Sequence, residues 1–278
     1  MFTKEHLKGD KHMATKLMHE AAVFHDTVEV YETEFKKETK NLIKHGTTVY
    51  PNVIPKAKAE YKNNPNMEVR VIAGGTVETG RDLVMNLGGK TAILNFADAL
   101  VPGGLVLVGA PTQEENICRC SNLYASITSK KPMKYYYEKN RKFNSYIYTD
   151  SLIYSEDVTF FKDDTDYRRV TPYKMDVITC PSPSVKIKSE SIEYIVIYKR
   201  IEQIIRSAIL HKVDNLVLGA WGCGAFGQNP QVVASCFDEV LRRNKAFKTV
   251  VFAIRNCQAD IGNGTVQNLD IFKNRILW

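Results

Sequence analysis

The sequence predicts an α/β fold, a mixed or parallel sheet flanked by helices, with a helical extension ahead of it. Three observations carry this. Strand-like and helix-like runs alternate through most of the second two-thirds of the chain, the pattern that places helices on both faces of a sheet. Residues 9–44 hold few Gly or Pro, are rich in Lys, Glu, Ala, Met and His, and meet a stop signal at His45-Gly46, so they read as one or two helices. The chain has 278 residues, 44% hydrophobic and 25% charged, enough apolar material for one large core. The expected division is an N-terminal helical extension over 1–66 packed on a core over 67–278.

Each element follows from local chemistry. Residues 47–54, 68–73 and 91–96 are short β-branched runs bounded by Pro, Asn or Gly, and read as strands. Between the last two, 76–87 reads as a helix with Thr76 as its N-cap. Later strands are expected at 151–154, 158–161, 175–179, 215–218 and 249–254, and helices at 112–127, 192–211 and 230–243. On such sheets ligands sit beyond the carboxyl ends of the strands. The stretch 130–143 sets Tyr135, Tyr136 and Tyr137 among Lys131, Lys134, Lys139, Arg141 and Lys142 and could stack on a nucleic acid, but a solvated, aromatic-anchored loop is the expected structure.

Composition excludes several classes. No apolar run approaches the ~20 residues that cross a bilayer, and the first residues lack a secretory signal, so no membrane partner and a cytoplasmic location are expected. Basic residues exceed acidic ones by 38 to 31, compatible with an anionic ligand without demanding one. Six cysteines (Cys118, Cys120, Cys180, Cys223, Cys236, Cys257) form no C-x-x-C pair and are expected to be reduced and packed, with no metal and no cofactor.

Two segments carry chemistry. In the first, a strand ending at Phe96 runs through Asp98 into Pro102-Gly103-Gly104, then a short apolar loop, then Thr112-Gln113-Glu114-Glu115 at a helix start. Glycines let backbone approach a ligand, and adjacent glutamates raise each other's proton affinity, which keeps one protonated as a glycosidic general acid requires. The same four residues also fit a capping box, with Thr112 as N-cap and Glu115 at the third helical position, and spacing alone does not choose between the two. In the second, 216–230, a strand opens into Gly222-Cys223-Gly224-Ala225-Phe226-Gly227 and then a helix with Pro230 in its first turn. Amides there would suit a diphosphate, and a ligand-free tight turn remains the alternative. The glycines spell G-x-G-x-x-G, but one strand alone follows and it ends in Arg255-Asn256 rather than an acid, which argues against a dinucleotide-binding oxidoreductase. None of the six histidines lies in either segment, which weakens a Ser-His, Cys-His or metal-hydrolase scheme.

These residues resemble the microbial type of poly(ADP-ribose) glycohydrolase, a branch of the macrodomain fold. Gly103-Gly104-Leu105, a seven-residue spacer and Gln113-Glu114-Glu115 are similar to the family's triple glycine followed by Gln-Glu-Glu, with Leu105 in place of the third glycine. Asn95-Phe-Ala, Cys118-Arg119-x-Ser-x-Leu-Tyr124, Asp176-Val-Ile-Thr-Cys-Pro-Ser-Pro183 and Gly219 to Gly227 resemble its other blocks, in order. Asp98 stands where macrodomains commonly have Asn.

The resemblance implies a macrodomain-like core that binds ADP-ribose or poly(ADP-ribose) and cleaves a ribosyl glycosidic bond. It makes Glu115 the acid and Glu114 the neighbour that binds ribose hydroxyls. Gly103, Gly104 and the loop Gly222, Cys223, Gly224, Ala225, Gly227 would hold the diphosphate, Phe226 would position the distal ribose, and Asn95, Asp98 and Gln113 would complete the substrate-binding set. Two other readings stay open: a non-catalytic ADP-ribose-binding module, and a mono-ADP-ribosyl hydrolase acting on modified protein or nucleic acid.

Overall fold

The structure, a computed structural model, describes residues 4–56, 61–184, 190–255 and 267–278, with side chains in the long helices from residues 13 and 193 onward. Helix α1 (Lys4–Thr33) and the short α2 (Lys36–Asn41) lead through a π turn into β1 (Thr47–Tyr50). Then come β2 (Glu68–Ala73), α3 (Thr76–Asn86), β3 (Thr91–Phe96), α4 (Gln113–Cys120), α5 (Leu123–Ile127), α6 (Lys130–Pro132) and α7 (Glu138–Phe143). The rest is β4 (Leu152–Lys162), β5 (Arg169–Cys180), α8 (Glu190–Leu210), β6 (Asn215–Leu218), α9 (Pro230–Arg243), β7 (Thr249–Ile254) and α10 (Asn268–Arg275).

Among the described residues seven strands form one sheet in the order β1-β4-β5-β3-β6-β7-β2. The five from β5 to β2 are parallel, and β4 runs antiparallel between β1 and β5. Alternation along the strands splits the core. Ala92 and Leu94 face α8 and α9, while Ile93 faces the layer containing α1, α3, α4 and α5. By the same period Asn95 points into the second layer, toward α4.

The outlying helix α1 is tied to α4 by buried polar groups. Arg119, fully buried on α4, donates from Nε to the Glu20 carbonyl at 3.1 Å and pairs with the Glu20 carboxylate at 3.1 Å. Its Nη2 donates to the Ala110 carbonyl, and Thr27 Oγ1 donates back to the Arg119 carbonyl at 2.6 Å. Loop 105–112, α1 and α4 thus share one guanidinium.

The amino end of the sheet holds a charged cluster. Lys90 Nζ lies 2.5 Å from Glu156 and 3.2 Å from Asp176, whose carboxylate also accepts from the Tyr154 hydroxyl at 2.5 Å and the Asp157 amide at 2.9 Å. His211 stacks on Tyr154, with ring centroids 3.5 Å apart, and its Nε2 meets the Tyr50 hydroxyl at 2.9 Å.

Several local expectations are corrected. Thr76 is the first helical residue, and Gly75 takes the cap position. Pro51 ends β1 at Tyr50, because a residue without an N–H cannot continue the ladder. The helix expected over 112–127 is two, because Ser121 breaks out to bridge Phe160 and Asn122 exchanges bonds with Thr159. The two strands expected at 151–161 are one, bulged between Ser155 and Val158, where Asp157 takes φ 58°.

Residues 130–143 are helical, not a loop. Tyr136 and Tyr137 are fully buried edge to face, and Arg141 donates to the Leu100 carbonyl at 2.9 Å. The aromatic-basic stretch props up the turn after β3, leaving Tyr135 as the exposed ring of the three. Cys118, Cys120, Cys180, Cys223 and Cys236 are free and buried, while Cys257 lies outside the described residues.

Candidate active site

Loops 97–112 and 219–229 leave the carboxyl ends of the neighbouring parallel strands β3 and β6, so both glycine-rich segments open on one edge of the sheet. Helix α4 begins directly above β3 and is pinned there by Gln113. Its Oε1 accepts from the Phe96 amide at 2.8 Å, while Nε2 donates to the Leu94 carbonyl at 2.7 Å and to Thr76 Oγ1 at 3.2 Å. All the polar atoms of Gln113 are occupied by protein, so it positions the helix rather than facing a ligand.

Both glutamates are buried, Glu114 at 3% and Glu115 at 4% exposure, and no cation lies within ion-pairing distance of either among the described residues. Glu114 Oε2 accepts from the Asp98 amide at 2.7 Å and Oε1 from Asn95 Nδ2 at 3.3 Å; Asn95 also donates to Thr179 Oγ1 at 3.2 Å. The buried Asn95 Oδ1 has no partner among the described residues. Burial, with a smaller contribution from Glu115 opposed by the Asp98 amide, drives the Glu114 carboxyl well above the usual carboxylate range.

Glu115 and Thr112 do not form the capping box that their spacing allows. In a capping box the Thr112 side chain would accept from a helix amide, but it makes no such bond and instead donates to Glu115 Oε2. The other oxygen, Oε1, accepts from the Leu105 amide at 2.9 Å. The carboxylate is therefore turned away from its own helix end and toward the glycine turn. A Cβ at Gly104, where φ is +56°, would stand 2.4 Å from Glu115 Oε1, so that position must be glycine. Leu105 has φ −104°, ordinary for any residue, and its side chain is 60% exposed, so the loss of the third glycine leaves the bond to Glu115 intact.

Asp98 adds a minor share to the charge that raises the Glu114 carboxyl, while its own side chain is turned into the loop. Its Oδ1 accepts from the Leu100 and Val101 amides at 2.6 and 2.9 Å, which makes it a turn residue. Tyr124 lies against Gly103, where an added Cβ would meet its ring at 3.0 Å, and packs edge-on to Phe24 of α1 at 4.9 Å.

In the second loop Gly222, at φ +78°, is required by Ser182, whose Oγ would lie 2.2 Å from an added Cβ. Gly224 faces open space and Ala225 is exposed. Cys223 turns inward, with Sγ 3.6 Å from the Trp221 carbonyl, and burial pushes its thiol upward, so it offers backbone alone. Phe226 is half-buried, edge-on to Tyr148 at 6.3 Å. Trp221 plugs the core, donating to the Cys180 carbonyl at 3.0 Å. The start of α9 is capped by its own Asn229, which accepts from the Gln231 amide at 2.9 Å, and within the loop the Cys223 and Gly227 amides already donate to the Ala220 and Gly224 carbonyls at 3.1 and 2.8 Å. Residues 18–163 match the family described as microbial-type PARG, catalytic domain.

The chain belongs to that family, the catalytic domains of microbial-type poly(ADP-ribose) glycohydrolase. Solved structures agree on the fold. The poly(ADP-ribose) glycohydrolase of Thermomonospora curvata is 28% identical with a TM-score of 0.80, covering 93% of this chain and 99% of that one. The same enzyme bound to the inhibitor ADP-HPD aligns at a TM-score of 0.78, with 28% identity over 93% and 99% of the two chains. The Deinococcus radiodurans enzyme in complex with ADP-ribose is 30% identical with a TM-score of 0.72, over 84% and 95% of the two chains. No curated protein sequence matches. The macrodomain-like reading of the sheet therefore holds, and the family match begins inside α1, upstream of the motifs that suggested it. Thr112, Tyr124 and Ser182 are the residues at the site that sequence reasoning gave no role; the last two lie within blocks that resemble the family, and Thr112 was read as a cap.

Proposed function

We propose that this chain releases ADP-ribose from poly(ADP-ribose) by general-acid cleavage of a ribosyl glycosidic bond, with Glu115 as the acid. The observation that carries this is the Glu115 carboxylate, buried without a cation and held by the Leu105 amide and Thr112 hydroxyl against Gly104. A protonated Glu115 gives its proton to the leaving ribose oxygen as the C1–O bond breaks. The C1 centre passes through an oxocarbenium-like state, water adds there, and the diphosphate beside it stabilises the developing positive charge.

Glu114 binds the ribose hydroxyls, oriented by Asn95 and the Asp98 amide. Gly103, Gly104 and the 222–227 loop, with Gly224 and Ala225 exposed at its tip, receive the diphosphate, and Phe226 lies against the distal ribose. Gln113, Asp98 and Cys223 act on substrate through the backbone they hold. Residues 1–66 form a helical extension that also lends β1 to the sheet of the core of 67–278, and the location is cytoplasmic. ADP-ribosylated protein or nucleic acid is the second substrate class, for which the same acid would serve.

The test is release of ADP-ribose from labelled poly(ADP-ribose) and from mono-ADP-ribosylated protein and DNA, by wild type and Glu115→Gln. The variant is expected to keep ADP-ribose binding by calorimetry and lose turnover by at least ~10²-fold, the usual contribution of a positioned acid. An active Glu115→Gln protein would sink the assignment. Tight binding with no release by wild type from any conjugate would make the chain a reader.

A further inference from the structure

A second pocket lies behind the site rather than in it. It has a volume of about 570 Å³, within the usual range for ligand sites, roughly 300–1,000 Å³. It is formed where α1 and α2 of the N-terminal region meet α5 and the start of α6. Lys36 and Lys40 of α2 line one wall and Lys130 the other, with the Thr128 hydroxyl between them and Glu32 as the single acidic group. Among the described residues none of the three lysines has a carboxylate within ion-pairing distance. Lys36 and Lys40 stand four residues apart on one short helix, an arrangement in which like charges repel and which an anion would relieve.

The pocket connects to the glycine turn through shared elements. Tyr124, which lies against Gly103, is one helical turn before Thr128 on α5. Its neighbour Phe24 precedes Tyr31, in the pocket wall, by seven residues of α1, or ~10 Å at 1.5 Å per residue. The glycine turn and the pocket thus lean on the same two helices, α1 and α5, at successive turns.

We infer that the Lys36–Lys40–Lys130 pocket is an anion subsite that takes a diphosphate of poly(ADP-ribose) away from the bond being cleaved, a role that rests on the glycohydrolase reading. Lysines are suited to it as point charges on flexible stems, able to hold a phosphate without fixing the sugar or base attached to it. The subsite favours polymer over a single ADP-ribose because one unit carries one diphosphate, which cannot occupy the glycine turn and the lysines at once.

The test uses the full chain, with binding measured in the Glu115→Gln background so that polymer persists. Lys36→Ala/Lys40→Ala/Lys130→Ala is expected to weaken binding of long poly(ADP-ribose) about tenfold or more and to flatten its dependence on salt. Binding of monomeric ADP-ribose should be unchanged. In the otherwise native enzyme the same triple change should raise KM for polymer and leave kcat alone. Lys40→Glu alone should weaken polymer binding more than Lys40→Ala. Inorganic pyrophosphate, titrated by calorimetry with ADP-ribose saturating the first site, should bind wild type and not the triple variant.

Equal loss of monomer and polymer binding would overturn the subsite, as would unchanged polymer binding. Equal loss of polymer and of a single-stranded oligonucleotide that wild type binds as tightly would assign the pocket to nucleic acid and overturn it too. The glycohydrolase reading fails separately, by absence of ADP-ribose release from wild type, whatever the lysines do to pyrophosphate binding.

Discussion

At the amino end of the sheet Asp176 is buried beside Lys90, the Tyr154 hydroxyl and the Asp157 amide, so its charge is answered from three sides. At the carboxyl end Glu114 and Glu115 are as deeply buried, answered by amides, a carboxamide and a hydroxyl but by no cation among the described residues. The first arrangement is what a protein does with a carboxylate it keeps for stability, since an unpaired buried charge is costly. The second is costly by the same measure, and a protein tolerates it where the group has chemistry to do. Burial is the same at both ends; the neighbours differ.

That contrast can be broken at either end. The largest effect beyond loss of the acid itself is expected from Gly104→Ala. The new methyl must displace the Glu115 carboxylate, and misplacement of about 1 Å costs on the order of 10²-fold in turnover. Gly74→Ala, where an added Cβ makes ordinary contacts at 3.4 Å and 3.8 Å, should leave turnover unchanged in the same assay. A similar loss in both would mean that the effect at Gly104 does not come from its contact with Glu115.

Asp176→Ala should do the reverse. It removes the partner of Lys90 and of two hydrogen-bond donors and is expected to cost ~3 kcal/mol of stability in denaturant titrations, with kcat/KM on polymer preserved. A smaller effect separates Glu114→Gln from wild type by pH. Because the folded Glu114 is held well above its unfolded value, protonation stabilises the native state, and that contribution is lost as pH rises from the ordinary carboxylate range through the folded pKa. The stability of Glu114→Gln relative to wild type should therefore grow with pH over that span; a constant difference would contradict the burial argument.

The smallest effect is at His211, lowered from 6.5 to about 4 by burial. A depressed histidine contributes stability above its unfolded value that is lost as pH falls toward 4, so wild type should lose Tm across that window faster than His211→Phe.

The parts of the molecule legible in the sequence are those set by neighbouring residues. The strands Glu68–Ala73 and Thr91–Phe96, and α9 with Asn229 and Pro230 at its start, follow from β-branched runs and capping chemistry, and they match residue for residue. The failures are tertiary. A helical pattern over 112–127 is interrupted because Ser121 finds a strand partner 39 residues later, and the tyrosine run at 135–137 becomes helical because two of its rings have a core to enter. Thr112 and Glu115 have the spacing of a cap, and the outcome is decided by the Leu105 amide, which no local pattern reveals. The family resemblance rested on spacing; what Gln113, Asp98 and Cys223 hold had to come from coordinates.

The guanidinium of Arg119 makes the first helix harder to lose than its outlying position suggests. Without α1, Nε would lose both Glu20 acceptors, and of these bonds the guanidinium, on the helix that carries Glu114 and Glu115, would keep the one to the Ala110 carbonyl. A truncation through Glu20 is therefore an edit to the support of α4 as much as to the helix removed.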